Sequence, residues 1–72
     1  MSSKVVIAYD KVFETGPLAG LSVPVLITYP NNEHAAEIFD GLVYDQNFNA
    51  ARRDLITGNR YAVAMVRRHF VD

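Results

Sequence analysis

The chain has 72 residues, a net charge of −1 and no cysteine. That length allows one small domain, and a domain so short hides only about 60% of the surface its unfolded chain exposes. The missing cysteines exclude disulfides and thiolate metal sites, and the near-neutral charge gives no general attraction to nucleic acid or to an anionic membrane.

Residues 1–3 are expected to fray. From Val5 the sequence alternates: Val5, Ile7, Tyr9 and Phe13 share one parity, and so do Leu21, Val23, Val25, Ile27 and Tyr29. Alternate strand residues point to opposite faces, and β-branched and aromatic side chains suit a half-buried pleated surface. Thr15-Gly16-Pro17-Leu18-Ala19-Gly20 separates the runs and supplies turn chemistry, so Val5 to Tyr29 reads as a β-hairpin with a wide loop. Ile27 is placed on the inward face, where an aspartate would unfold the protein. Pro24 has no N–H to give, which predicts an edge or a bulge on the second strand.

Pro30-Asn31-Asn32 then breaks the pattern and offers a helix cap. Ala35, Ile38, Phe39, Leu42 and Val43 recur at helical spacing, predicting a helix from about Glu33 to Val43. Gly41 lowers helix propensity by about 1 kcal/mol relative to alanine and is a possible end point. Asp45-Gln46-Asn47 is a second polar break. Phe48, Ala51 and Leu55, followed by Gly58, predict a short second helix from about Asn49 to Thr57; the rival is a strand at Asp54–Ile56 turning at Thr57-Gly58-Asn59. Arg60 to Val71 reads as a closing strand, with Tyr61, Val63 and Met65 alternating against Ala62, Ala64 and Val66. The expected fold is α+β, a ββααβ domain with an antiparallel or mixed sheet and helices on one face.

Charge is unevenly spread. Residues 1–45 carry six carboxylates against Lys4 and Lys11, and residues 46–72 carry five arginines against Asp54 and Asp72. The basic part offers a patch for an anion or for the acidic part of another copy. Arg60 beside Tyr61, with Arg52 and Arg53 nearby, is the best-placed group of ligand or partner contacts, because guanidinium forks match phosphate and carboxylate. Arg60→Ala is expected to weaken binding more than folding.

Catalytic material is thin. The serines are Ser2, Ser3 and Ser22, none beside a histidine in sequence. His34 and Glu37 have helical ligand spacing but lack a third partner. His69 adjoins Arg67 and Arg68. The Gly16–Gly20 loop lacks the lysine and following helix of a phosphate loop. Neither catalysis, a cofactor nor a metal is expected.

Half the residues are hydrophobic, more than so small a monomer can cover, so a homo-oligomer is expected, a dimer first among the choices. The preferred function is a small non-catalytic interaction protein that blocks or scaffolds a partner. The alternative is an oligomeric protein that sequesters an anionic small ligand such as a nucleotide through arginines and tyrosines. Nucleic acid is disfavoured, because the basic part lacks spaced aromatics for stacking. No leader and no membrane-spanning run is read, which suggests a cytoplasmic setting. In size and style the chain is similar to small accessory proteins of phages and other mobile elements.

Overall fold

The computed structural model describes residues 2–72. Among them the elements run β1 (Lys4–Phe13), β2 (Ser22–Pro30), α1 (Glu33–Phe48), β3 (Arg52–Arg53) and β4 (Arg60–Val71). The strands form one antiparallel sheet in the order β2-β1-β4-β3. β1 and β3 both finish, and β2 and β4 both begin, at one end of it. Both hairpin loops, residues 14–21 and 54–59, therefore lie together at that end. Gly16 is tied to this proximity: its φ is +80°, and a Cβ there would meet the Asn59 side chain at 2.5 Å.

The amino-terminal hairpin forms as its alternation predicts, with Val5 opposite Tyr29, Ile7 opposite Ile27 and Tyr9 opposite Val25. Directly opposed residues share a face. Val5, Ile7, Tyr9 and Phe13 of β1 meet Tyr61 and Val63 of β4, and Ala35 and Leu42 of α1 close the core over them. Burial raises the Tyr9 phenol pKa above its ordinary value, with neighbouring Tyr61 adding to the effect. β2 is an edge strand, as Pro24 implied. Ile27 keeps the predicted parity but is 42% exposed, because α1 lies over the β1–β4 side of the sheet.

Asn32 caps α1, its Oδ1 accepting from the Ala35 amide at 3.0 Å. Gly41 does not end the helix. It continues to Phe48, where Asn49 turns left-handed at φ 52° and donates its N–H to the Asp45 carbonyl. The expected second helix is absent. Residues 52–53 form a strand paired with Tyr61 and Arg60, so the order is ββαββ. The left-handed Asn49 and the bond from Arg52 Nε to Asp45 carry the chain out of the helix and onto β4. The rival hairpin is the one realised, with its strand two residues earlier than its sequence placement.

β4 also changes parity midway. The register shifts between Ala8 and Asp10, and Met65 takes φ 57°. The Val66 amide freed by this bulge donates to Gln46 Oε1 of α1 at 2.8 Å. Tyr61 and Val63 before the bulge, and Val66, Arg68 and Phe70 after it, thus face the helix side, while Met65 is 65% exposed. Ser2 and Ser3 are held by Asn31, which donates to both carbonyls; Met1 lies outside the described residues. No helix among the described residues is long and apolar enough to cross a membrane.

Candidate functional site

The β3–β4 hairpin tip is organised by Asp54. Its Oδ1 accepts from the amides of Ile56 at 2.9 Å and Thr57 at 3.0 Å. Its carbonyl accepts from the Gly58 N–H, and its own N–H donates to the Asn59 carbonyl, both at 2.8 Å. Gly58, the glycine that reads as a helix end in the sequence, thus closes a single helical turn that Asp54 opens. Thr57 first, then Ile56, hold the Asp54 carboxyl below its ordinary pKa through these backbone bonds, and Lys11 adds to the effect. Lys11 Nζ donates to Asp54 Oδ2 at 3.2 Å and sits 4.8 Å from the centre of the Tyr61 ring. Behind the tip, Arg60 donates its amide to Thr15 Oγ1 at 3.0 Å, which ties the two loops together.

This bonding presents Leu55 and Ile56 to solvent, 99% and 95% exposed. Full burial of such a side chain is worth about 1.5–3 kcal/mol, and here folding gains almost none of it. Leu18 and Leu21 of the neighbouring loop are exposed as well. A shallow cleft of about 290 Å³ runs behind the tip, lined by Lys11, Arg53, Asp54, Leu55, Ile56 and Tyr61.

The four contact residues expected from the sequence fall on two faces of the sheet. Arg52 is opposite Tyr61 on the helix side, where it pairs with Asp45. Tyr61 is 6% exposed and packs edge-on against Phe13, ring centres 6.1 Å apart. Arg53 and Arg60 are opposite each other on the helix-free face, exposed and without an ion pair among the described residues. Sequence reading missed Leu55 and Ile56 as contacts: it placed Leu55 in a helical stripe and Ile56 within the same expected helix or at the end of the rival strand. The signal was Asp54 followed four residues later by Gly58, with two aliphatics between and no other apolar residue beside them.

The helix-free face carries a second group. A groove of about 450 Å³ is lined by Val6, Ala8, Leu26, Arg67, Arg68 and His69. Arg67 and His69 stand opposite Ala8 and Val6, while Arg68 turns to the other side, its guanidinium 4.2 Å from the Phe39 ring centre. Compared with known proteins, the chain matches no family model, no curated protein and no solved structure.

Proposed function

We propose that this chain is a small non-catalytic interaction protein, acting as a homo-oligomer, that docks on a partner protein through the 54–59 hairpin tip and blocks or scaffolds it. The observation that carries this reading is the exposure of Leu55 and Ile56 on a turn held by Asp54. Aliphatic side chains on a pre-ordered loop lose little further entropy when they enter an apolar pocket, which is how preorganised anchors gain affinity. The test is affinity capture with wild-type and Leu55→Asp/Ile56→Asp baits matched for melting temperature. The wild type should retain a partner in stoichiometric amount that the double variant loses. Equal retention by both baits sinks the reading.

A second reading is an oligomeric binder of an anionic small ligand such as a nucleotide. It is favoured by Arg53 and Arg60, opposed on one face with no carboxylate partner among the described residues. Native mass spectrometry with added nucleoside triphosphate would reveal it as a bound mass that Arg53→Ala/Arg60→Ala removes.

A further inference from the structure

We propose that copies of this chain stack head to tail, the outer stripe of α1 in one copy covering the helix-free sheet face of the next. This deepens the oligomeric part of the reading above and does not depend on the hairpin tip. The stripe is Glu33, Glu37, Asp40, Tyr44 and Phe48, spaced three or four residues apart. That spacing sets them along one line of a helix. All five are exposed, and the buried Ala35 and Leu42 lie on the opposite side. The stripe is acidic in its first half and aromatic in its second, where the Tyr44 and Phe48 rings lie 4.7 Å apart.

The sheet face has the complementary pattern. Strand register places Lys4, Arg53, Arg60 and Arg67 on it, with Asp10 as the strand carboxylate facing the same way. The surface around the cations is apolar: Val12, Ala62 and Ala64 are half-buried, Leu26 is exposed on the β2 edge, and Ala8 is buried at the groove floor. The two patterns also run in the same direction. Glu33 begins α1 at the end of the sheet where β1 starts, the half that carries Lys4, His69 and, nearer the middle, Arg67 opposite Ala8. Phe48 ends α1 toward Arg53 and Arg60. A neighbour laid on in the same orientation brings three carboxylates, spanning about 10 Å of helix, onto Arg67 and Lys4, about 13 Å apart along the sheet. It brings Tyr44 and Phe48 onto alanines flanked by Arg60, a setting for cation–π contact.

Face-to-face pairing of two sheets fails this matching, because it sets one cationic face, with Lys4, Arg53, Arg60 and Arg67, against another, and like charges across an interface are costly. The chain has surface to spare: it exposes 4984 Å², against about 4500 Å² for a compact monomer of this mass, and a standard interface takes about 800 Å² from each partner. A contact between two different faces does not close at two copies, so the product is a ring or an open filament.

The test uses two charge-reversed forms of the full chain, Arg60→Glu/Arg67→Glu on the sheet and Glu33→Lys/Glu37→Lys on the helix. All four sites are exposed, and thermal melting checks that both forms fold. Light scattering at low salt should show wild-type mass beyond a dimer, growing with concentration and falling toward the monomer in about 1 M salt, where the screening length is about 3 Å. Each variant alone should stay monomeric, and mixing the two should restore assembly by joining an acidic stripe to a basic sheet. Assembly by either variant alone, or a mixture that stays monomeric, overturns the stacking. An oligomer indifferent to all four changes also overturns it while leaving self-association standing, and a wild type that never exceeds the monomer mass overturns both.

Discussion

Ile7 and Ile27 face each other across the first hairpin with the same parity, yet Ile7 is 2% exposed and Ile27 42%. Alternation in a sequence reports which face a side chain takes, and not whether anything covers that face. Ile7→Ala is therefore expected to cost about 2–5 kcal/mol, the range for a fully buried aliphatic. Ile27→Ala should cost about 1 kcal/mol, since less of its transfer energy is realised. Ile27→Asp should fold, contrary to the inward reading. Urea titrations of the three variants check this, and an Ile27→Ala penalty as large as that of Ile7→Ala would show that β2 is covered in solution. Asp54 gives a second expectation. Its pKa is depressed in the folded protein, so its contribution is present above the ordinary carboxylate pKa of about 3.9 and vanishes as pH falls through the lowered value. Asp54→Ala should melt below wild type at neutral pH, and the gap should narrow near the acid limit of folding. A gap independent of pH would mean that the carboxylate charge plays no part.

Among the elements, α1 is where the sequence reading is both strongest and short. The Asn32 cap and the apolar stripe place its start correctly, because both signals are local. Its end lies five residues beyond the expected Val43, because the Gly41 penalty of about 1 kcal/mol is smaller than what packing of Leu42 and the Gln46–Val66 and Asp45–Arg52 contacts return. The Gln46–Val66 bond joins residues twenty apart and the Asp45–Arg52 pair spans the helix end, so neither can be read from helical spacing. The same limit explains the missed β3: its two residues are held by pairing with β4 and by Asp45. It also explains the bulge at Met65, which no glycine or asparagine announces. Gly41 is thus a site of avoidable cost. A Cβ there would have only Arg52 Nη2 near it, at 3.7 Å, an ordinary contact. Gly41→Ala should stabilise the protein by about 1 kcal/mol, a rise in melting temperature of about 4–8 °C for a domain of this size. A fall would mean that the helix bends or parts at Gly41 in solution.

At the scale of the whole molecule, the sheet is long and covered on one side. The radius of gyration is 13.0 Å, against about 11 Å for a compact 72-residue domain. The chain must then manage both a bare face and bare edges. The β2 edge is 9 residues long and exposes Val23, Leu26 and Ile27, a composition that invites edge-to-edge pairing. The hydrogen bonds show how it is blunted. Phe13 directs both its N–H and its C=O toward β2, donating to Leu21 and accepting from Gly20. Odd residues of β1 therefore bond to β2, and by register Val23, Val25, Ile27 and Tyr29 bond back. The outward groups belong to Ser22, Pro24, Leu26, Thr28 and Pro30, and the two prolines have no N–H to offer. Pro24 interrupts the outward row between Ser22 and Leu26, so a second strand cannot zip along it. Pro24→Thr restores that donor without disturbing any bond within the sheet. The variant should melt no earlier than wild type, yet it should aggregate on concentration, seen as light scattering and binding of an amyloid dye. That aggregation should survive about 1 M salt, because backbone pairing, unlike the charge-matched stacking of faces, is little screened. A Pro24→Thr protein as soluble as the wild type would show that some other feature, such as a covering partner or the twist of the strand, closes this edge.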